Sequence, residues 1–445
     1  MDKSFCYPEG YSRIGFFGIG KSNLSLISAL PPTVCVTLRS DKKIDRAKIP
    51  PHIKPTHIYE GDAALCDIHE DILILSPSVR RDRAELLLAQ ERGVVLCSDC
   101  ELFFDAARAP VFAVSGSAGK STSVTLAHLA LLADSGGYRL VGNIGTPMLQ
   151  SVSDGVKGYI AELSSFMLQS FTPRLKRYAL TNIVPNHLDF HKSFKEYRDT
   201  KLAPLRLCDE GIICADDATL SSIRYEKLYA VYSISESICN LATKYNAEVY
   251  FTLEDGYICR NGEKILGTEK LLRKDARTVQ NMMCAAALTD GYADKGTLVS
   301  AFSNFGGLSH RCETVHSRGG VDFINSSIDT SPDRCSATLS SLGRRVVLLL
   351  GGRGKGLSYN DMIPPVLKYA RVTVLFGEEK EKLYSLLSDK ISCIKCDSFD
   401  EAVKAAASAA LPTEAVLLSP ACTSYDAFSS FEERGDRFRD IVRSL

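Results

Sequence analysis

The chain has little that would take it into a membrane or onto a nucleic acid. Its 53 basic and 53 acidic side chains give no net charge, so it lacks the overall basic character that attracts nucleic acid. The longest aliphatic runs, such as residues 346–350, are far too short to cross a bilayer. Residues 1–12 lack the apolar core of a signal peptide. We therefore expect a cytoplasmic protein that neither inserts into a membrane nor binds nucleic acid.

The cysteine pattern does not indicate a metal ribbon. Fifteen cysteines in a chain without an export signal are expected to be reduced thiols, most of them in the core. Two C-x-x-C pairs occur, Cys97/Cys100 and Cys393/Cys396, and they lie far apart in the chain. A zinc ribbon places its pairs about 15–20 residues apart. We assign neither pair a metal or redox role.

The most informative segment is residues 111–122, VFAVSGSAGKST. Its four leading apolar residues predict a buried strand, and a periodic apolar face beyond it predicts a helix. The glycines, lysine and hydroxyl residues between them are typical of a turn whose backbone N–H groups and helix dipole favour phosphate. Two residues separate the glycines, whereas the common P-loop has four. We predict a nucleoside triphosphate site formed by Gly116, Ser117, Ala118, Gly119, Lys120, Ser121 and Thr122.

An ordinary tight turn is the alternative for this segment. It is disfavoured because the strand, the lysine and the helix follow one another in register. The helix is predicted to end at Gly136-Gly137, since glycine is typical of helix C-caps.

Alternating strand and helix patterns divide the chain into three α/β units, at 1–100, 101–307 and 308–445. We expect a Rossmann-like N-terminal unit, a central P-loop ATPase-type parallel sheet and a Rossmann-like C-terminal unit, each sheet mostly parallel and covered by helices. Helices are predicted at 81–89 and 194–207. The apolar runs that predict strands lie at 14–17, 34–37, 72–75 and 94–96 in the first unit, at 111–114, 159–163 and 179–184 in the second, and at 321–325, 346–350, 372–376 and 415–418 in the third.

The turn after the first predicted strand, GIGKSN at residues 18–23, partly matches a dinucleotide fingerprint. It lacks the third glycine, and Arg39 stands where an acidic residue would end the second strand. A phosphate-binding turn and a plain strand-to-helix turn both stay open here.

Two polar clusters follow apolar strands of the central unit. The first, ELSSF, places Glu162 at a strand end, where the phosphates and Mg²⁺ of an open parallel sheet would lie; a solvated glutamate is the alternative. The second, NHLDFH, spaces His187 and His191 as in helical zinc pairs, but Pro185 and a loop-like context weaken that interpretation. We prefer one histidine as an extra Mg²⁺ ligand, with a capping or packing role as the alternative.

Lys201 follows in the polar stretch YRDTKL. As an ammonium it would repel Mg²⁺, but a neutral amine that took up CO₂ would form a carbamate anion able to bind the metal. Spacing alone does not favour this role over that of a surface lysine. GNIG at residues 142–145 is typical of a loop where a backbone approaches a ligand closely.

Taken in order, G-x-x-G-K-S-T, G-N-I-G, E-L-S-S-F, N-H-L-D-x-H and the downstream lysine are similar to the ATP-dependent Mur ligase family. The C-terminal S-H-R at 309–311 completes the set together with S-P-A-C-T-S at 419–424 and F-E-E-R-G at 431–435. The last two resemble the branch of the family that adds D-glutamate. The resemblance runs from about residue 18 to the C-terminus. It implies a bacterial cytoplasmic enzyme of three domains, which we expect to be a monomer.

The resemblance also implies a reaction. The three domains would hold, in chain order, the UDP moiety, ATP with two Mg²⁺ ions, and D-glutamate. ATP would phosphorylate the carboxylate of UDP-N-acetylmuramoyl-L-alanine, and the amine of D-glutamate would attack the acyl phosphate and release phosphate. A carboxylate is a poor electrophile, so phosphorylation supplies the leaving group, while lysine and Mg²⁺ offset the gathered negative charge.

By the same resemblance, individual residues have expected roles. The catalytic residues would be Lys120, His187 and Lys201. Beyond the phosphate loop, the ATP contacts would be Asn281 and Arg311. The metal ligands would be Ser121, Glu162, His187 and carbamylated Lys201. The substrate contacts would be Gly18, Ser22 and Arg39 for UDP, Asn143 and Ser164 for the muramoyl part, and Thr330, Lys355, Ser424 and Phe431 for D-glutamate.

The chain departs from the family pattern at several positions. Ala118 replaces a frequent asparagine, Met167 a glutamine, and Arg277-Thr278 a usual H-N. Ser326 and Ile328 replace an aspartate and a lysine of the third domain. These changes weaken the third-domain and Asn281 assignments but leave the phosphate and metal residues intact.

Two alternatives follow. Another Mur-type or folylpolyglutamate-type ligase is disfavoured by the roughly 100 residues before the phosphate loop, which folate ligases lack, and by the absence of a D-N-P-R signature. A nucleotide-binding scaffold without catalysis would not need to retain Glu162, His187 and Lys201 beside Lys120.

Overall fold

The computed structural model describes residues 10–132, 137–188 and 190–445. The chain divides between Phe305 and Gly306 into two compact units. The first unit contains two β-sheets and the second contains one, and parallel strands predominate in all three. The predicted α/β class is therefore confirmed. The three-domain division with boundaries at 100 and 307 stays a prediction.

The first sheet has five parallel strands in the order β3-β2-β1-β4-β5, an order typical of a Rossmann-like unit. Every residue of β4 is buried, as expected for a parallel strand covered on both faces. The strands are β1 Arg13–Phe17, β2 Cys35–Ser40, β3 His57–Glu60, β4 Ile72–Leu75 and β5 Val95–Cys97, and the helices are α1 Lys21–Ala29, α2 Ala84–Glu91 and α3 Asp99–Ala106.

The second sheet has nine strands in the order β14-β13-β12-β11-β10-β9-β6-β8-β7, parallel except at β12–β13–β14. Its strands are β6 Val111–Ser115, β7 Tyr138–Gly142, β8 Gly158–Glu162, β9 Arg177–Leu180, β10 Glu210–Cys214, β11 Leu228–Ser233, β12 Ala247–Glu254, β13 Tyr257–Arg260 and β14 Glu263–Gly267. Its helices are α4 Lys120–Leu132, α5 Ser165–Leu168, α6 Phe194–Leu202, α7 Ala218–Ser221, α8 Ile238–Lys244, α9 Ala276–Thr289 and α10 Lys295–Ser303.

The third sheet has six strands in the order β15-β16-β20-β17-β18-β19, with only β15 antiparallel. Its strands are β15 Glu313–Arg318, β16 Val321–Asn325, β17 Val346–Gly351, β18 Ala370–Phe376, β19 Ser392–Lys395 and β20 Ala415–Ala421. Its helices are α11 Pro332–Leu342, α12 Ile363–Tyr369, α13 Lys380–Leu387, α14 Phe399–Ala409 and α15 Phe431–Ser444. Successive residues of β17 enter separate apolar clusters on the two faces, Leu348 in one and Leu349 in the other.

Most predicted strands appear within a few residues of their expected bounds, and two predicted elements end early. The strand expected at 179–184 ends at Leu180, because residues 181–184 leave the sheet to bond the phosphate loop. The helix expected at 194–207 becomes a 3₁₀ turn at Ala203–Arg206, where Pro204 stands. The expected helix end at Gly136 lies outside the described residues.

The antiparallel hairpins β12–β13–β14 were not predicted. Their two turns contain Asp255-Gly256 and Asn261-Gly262, both with positive φ at each residue. D-G and N-G pairs between short apolar runs are strong hairpin signals, so this arm could have been found from the sequence.

The described cysteines are all free thiols. Cys97 and Cys100 are buried, and burial raises the pKa of Cys97 to about 12. Such a thiol stays protonated at neutral pH and packs as a small apolar group.

Among the described residues, no helix combines the length and apolar character needed to cross a bilayer.

Arg39 is part of the interior of the first sheet. Its side chain is 1% exposed, and Nε donates to Glu70 Oε1 at 2.7 Å. The remaining guanidinium groups donate to the carbonyls of Ala64, Cys66 and Asp67. The guanidinium is therefore occupied by hydrogen bonds inside the first unit, which gives Arg39 a structural role. Its contact with UDP stays a prediction.

We expect Arg39→Ala to lower the free energy of unfolding by about 3–5 kcal/mol, because it leaves the Glu70 carboxylate buried without its partner. Urea unfolding followed by circular dichroism measures this. Arg46→Ala is the control, since Arg46 forms an exposed pair with Glu60 and should cost no more than about 1 kcal/mol. Equal losses in the two variants would contradict the prediction.

Candidate functional site

The phosphate loop lies between β6 and α4, as predicted. Gly116 and Gly119 have φ of +146° and +86°. A Cβ on Gly116 would lie 2.0 Å from Thr181 Oγ1, and a Cβ on Gly119 would lie 2.4 Å from Asn281 Oδ1. Both positions therefore require glycine for conformation and for space. Ser121 is buried in the first turn of α4.

The loop is held by residues that follow β9. The Thr181 hydroxyl donates to the Ala118 carbonyl at 2.6 Å. Asn182 Oδ1 accepts from the Ala118 N–H at 2.9 Å, and its Nδ2 donates to the Ala118 carbonyl at 3.0 Å. These bonds use only the backbone of residue 118, so the departure to alanine leaves the loop supported. Thr181 and Asn182 were not predicted from the sequence, although polar residues directly after an apolar strand could have indicated them.

Lys120 and Lys201 both reach the same turn of the loop. Lys120 Nζ donates to the Gly116 carbonyl at 2.8 Å and to the Ser117 carbonyl at 3.1 Å. Lys201 Nζ donates to the Gly116 carbonyl at 3.0 Å and to Ser115 Oγ at 3.1 Å. Lys201 is only 1% exposed. The structure therefore places Lys201 at the phosphate loop and not on the surface.

The environment of Lys201 favours the neutral amine. Burial, together with the nearby ammonium of Lys120, lowers the pKa of Lys201 well below its ordinary value, while Glu162 acts in the opposite direction. A neutral amine keeps its lone pair and is a nucleophile, whereas an ammonium is not. This is the chemical state that reaction with CO₂ requires.

Helix α6 positions Lys201 through tyrosines. The Tyr178 hydroxyl donates to the Lys201 carbonyl at 2.8 Å. The Tyr197 hydroxyl lies 2.8 Å from Ser117 Oγ, on the phosphate loop. Ser193 caps the helix by accepting the N–H of Glu196 at 3.1 Å. The helix is thus tied to β9 and to the loop at the same time.

Glu162 lies at the carboxyl end of β8 and is 1% exposed. Its Oε1 accepts from Asn143 Nδ2 at 3.0 Å, whereas Oε2 is buried without a hydrogen-bond partner. A buried carboxylate oxygen without a donor is costly. A hard cation bound there would satisfy it, since carboxylate oxygen is the ligand that Mg²⁺ prefers. The residues present therefore fit a metal ion at this strand end.

The two histidines of NHLDFH have different surroundings. His187 is exposed and has a backbone φ of +53°. Its ring lies edge-on to the Phe166 ring, with the ring centroids 4.8 Å apart. His191 is fully buried, with Nε2 3.0 Å from Ser165 Oγ. Burial lowers the pKa of His191. His191 thus has the packing role, and His187 is the one that could bind a metal. Within the described residues, no three His, Cys, Asp or Glu side chains form a metal cluster by themselves.

A cavity of about 300 Å³ lies beside this strand end. Its lining includes Ser22 of α1 and Ser76 just after β4, together with Asn143 just after β7, Ser164 just before α5 and Phe166 of α5. Three residues predicted from the sequence to contact the muramoyl nucleotide, Ser22, Asn143 and Ser164, are therefore brought together. Gly18 lies at the turn before Ser22, where its N–H donates to the Arg39 carbonyl at 2.9 Å.

Asn281 lies on α9 against the phosphate loop. It is 6% exposed, and its Oδ1 accepts from Ser123 Oγ of α4 at 3.4 Å. Its expected contact with adenine stays a prediction. Arg311 belongs to the second unit, in the segment between α10 and β15, and its role toward ATP also stays a prediction.

In the second unit, Lys355 Nζ donates to Thr330 Oγ1 at 2.9 Å. Burial and the like charge of Arg334 lower the pKa of Lys355. Ser424 is buried just after β20, and Phe431 begins α15. The structure therefore pairs Lys355 with Thr330. Their contact with D-glutamate stays a prediction.

Arg434, the arginine of F-E-E-R-G, holds the surrounding loops of this unit together, a role that was not predicted from the sequence. It is fully buried, and its Nε donates to Ser327 Oγ at 3.0 Å. Nη1 and Nη2 both donate to the Cys422 carbonyl at 3.2 Å. Ser327 Oγ in turn donates to the Phe431 carbonyl at 2.8 Å. Burial lowers the pKa of Arg434 to about 10.

The departures at residues 326–329 place a different carboxylate here. Asp329 is buried, and its Oδ2 accepts from Ser419 Oγ at 2.8 Å. Burial raises the pKa of Asp329, while Ser326 and Ser419 oppose that shift by donating hydrogen bonds to it. The Asp329 carboxylate of this segment thus lies in the interior.

Comparison with known proteins agrees with this arrangement. Residues 114–289 match the Mur ligase middle domain, and residues 310–422 match the Mur ligase glutamate ligase domain. The UDP-N-acetylmuramoylalanine–D-glutamate ligase of Ruminiclostridium cellulolyticum is 32% identical over 97% of both chains. The enzyme of the same name from Acetivibrio thermocellus is 32% identical over 97% of this chain and 96% of its own.

Solved structures show the same fold at lower identity. The UDP-N-acetylmuramate-alanine ligase of Thermotoga maritima superposes with a TM-score of 0.60 at 18% identity, covering 97% of this chain and 99% of its own. A pseudomurein peptide ligase type C from Methanothermus fervidus superposes with a TM-score of 0.53 at 15% identity, with the same coverage of both chains. The chain belongs to the Mur ligase family. It is an ATP-dependent ligase of peptidoglycan synthesis.

We expect Lys120→Ala to lower ATP-dependent turnover by about 10²–10³-fold while leaving the fold intact, because this ammonium acts on phosphate charge. Steady-state phosphate release measures turnover, and circular dichroism checks the fold. Lys195→Ala is the control, since Lys195 is 79% exposed and pairs with Asp199. Turnover of Lys120→Ala within tenfold of the parent would contradict a catalytic role for the loop.

Proposed function

We propose that this Mur ligase joins the amine of D-glutamate to the carboxylate of UDP-N-acetylmuramoyl-L-alanine. ATP phosphorylates that carboxylate, and the amine then attacks the acyl phosphate, so an amide forms and phosphate leaves. The observation that supports this most directly is the convergence of Lys120, Lys201 and the unpartnered Glu162 oxygen at the phosphate loop. The names of the full-length relatives support the choice of substrates.

The first unit supplies the phosphate chemistry. The N–H groups at the start of α4 and the Lys120 ammonium bind the phosphates of ATP. Ser121, Glu162, His187 and carbamylated Lys201 would hold two Mg²⁺ ions, which would neutralise charge between ATP and the carboxylate. Asn143 and Ser164, which line the cavity with Ser22, position the muramoyl substrate.

Lys201 acts as an anion in this proposal. The neutral amine attacks the carbon of CO₂, an N–C bond forms, and one proton is released, which leaves a carbamate. The lowered pKa of Lys201 supplies the neutral amine. Two adjacent cations at Gly116 would repel each other, whereas a carbamate beside Lys120 and Mg²⁺ reverses the sign of that interaction.

The second unit binds D-glutamate. Lys355 and Thr330 offer a cation and a hydroxyl to one carboxylate, and Ser424 and Phe431 complete the site. Burial and Arg334 disfavour the Lys355 ammonium in the free protein. A bound carboxylate would offset both effects, which favours an acidic amino acid over a neutral or basic one.

We expect D-glutamate to be the preferred amine substrate. An amino-acid panel containing D-glutamate, L-lysine and diaminopimelate, measured by ATP-dependent phosphate release in the presence of UDP-N-acetylmuramoyl-L-alanine, tests this. Lys355→Met should raise the KM for D-glutamate by about tenfold or more and leave the KM for ATP nearly unchanged. Faster turnover with L-lysine or diaminopimelate than with D-glutamate would remove the assignment.

We expect Lys201→Ala to lose most activity and to regain part of it with formate or acetate, since a small carboxylate can fill the vacated anionic position. Lys201→Glu should retain more activity than Lys201→Arg because the sign of charge matters more than length. Removal of dissolved CO₂ should lower the activity of the parent enzyme. Good activity in Lys201→Arg would show that the carbamate is not needed.

A further inference from the structure

Arg80 lies in the segment after β4 but bonds to the loop and the helix α6 that follow β9 of the second sheet. Its Nη1 donates to the Phe190 carbonyl at 2.6 Å, and its Nη2 donates to Glu196 Oε1 at 3.0 Å. The side chain is 19% exposed. One guanidinium therefore links the first sheet to a loop and to a helix of the second sheet.

The guanidinium is held in this orientation by Asp82. Nε donates to Asp82 Oδ1 and Nη2 to Asp82 Oδ2, both at 2.9 Å. Lys192 Nζ lies 2.5 Å from Asp82 Oδ2, which ties the two sheets a second time. Bidentate pairs of this kind fix direction as well as charge. Arg80 is thus pre-oriented toward its other two acceptors, Phe190 and Glu196.

Both acceptors belong to catalytic elements. Phe190 lies in the NHLDFH loop, three residues beyond His187. Glu196 lies in the first turn of α6, where its Oε2 also accepts the Lys192 N–H at 2.5 Å. The same helix places Lys201 at the phosphate loop. A shift of either acceptor would move His187 or Lys201 relative to the phosphates.

The segment that contains Arg80 also forms a wall of the cavity. Ser76 and Ser78 line it together with Phe166. The centroid of the Phe166 ring lies 4.5 Å from that of the Phe190 ring and 4.8 Å from that of the His187 ring. Contacts therefore run from the cavity wall through Arg80 and Phe166 to the loop that contains His187.

We propose that Arg80 is a positioning residue for the ligase reaction, which holds the His187 loop and the Lys201 helix in register with the wall of the substrate cavity. The inference rests on the proposed function because it concerns the transfer step that these residues serve. Arg80 touches neither substrate nor nucleotide in this role. It acts through the Phe190 carbonyl and the Glu196 carboxylate.

The test compares Arg80→Ala with Arg83→Ala. Arg83 forms an equally well-defined bidentate pair with Asp41, at 2.9 and 2.8 Å, but within the first sheet only. Arg80→Ala should lower kcat by about tenfold, with a smaller change in the KM for each substrate, because small displacements of catalytic groups are costly. The kcat of Arg83→Ala should stay within about twofold of that of the parent enzyme. Arg80→Lys should recover part of kcat, since one ammonium can replace one of the two bonds.

Amide hydrogen exchange gives a readout that does not depend on turnover. Residues 190–201 should exchange faster in Arg80→Ala and not in Arg83→Ala. Equal kcat and equal exchange in the two variants would overturn the proposal. So would an Arg80→Ala enzyme that is less stable but keeps the parent kcat per folded molecule. Absence of ligase turnover in the parent would refute the proposed function, while the exchange comparison would still decide the role of Arg80.

Discussion

The burial of the Lys201 amine against the phosphate loop is the constraint on which the rest of the first unit depends. Two lysines, 120 and 201, donate to the same Gly116 carbonyl, and one of them is excluded from water. Placing two ammonium groups this close in a poorly solvated site is unfavourable. The arrangement becomes stable when one amine is neutral or when anions arrive. A site built this way favours phosphate and carboxylate groups over neutral ligands.

The loop itself depends on strand ends that meet at one edge of the sheet. Thr181 and Asn182 follow β9, Glu162 ends β8 and the phosphate loop follows β6, and these three strands are neighbours. Parallel strands bring their carboxyl ends to the same edge, so polar groups distant in sequence converge there. In the second unit, the loops after β16 and β20 likewise meet at one edge of the sheet, where the buried Arg434 joins them. That guanidinium bonds to neutral oxygens, so its charge is not cancelled by a hydrogen-bonded carboxylate.

The alternation of strands and helices and the G-x-x-G-K-S-T turn were predictable because they are local. Apolar runs and turn residues act over a few positions, so β4 and β16 were predicted to the residue. The hairpin arm was missed although its D-G and N-G turns are local signals. The early end of β9 was missed because Thr181, Ile183 and Val184 have β-forming side chains. These side chains do not show that residues 181–184 leave the sheet to bond the phosphate loop.

By itself, the sequence determined the α/β class and the phosphate loop, and its ordered motifs supplied candidate residues for the site. Only the tertiary structure decided what each residue does there. It made Arg39 a buried structural cation and Lys201 a buried amine, and it separated His191, which packs, from His187, which is exposed. The physical reason is that burial and charge environment set the state of a titratable group, and both come from residues far apart in the chain. Arg80 shows the same limit, since two of its acceptors, Phe190 and Glu196, lie more than 100 positions away.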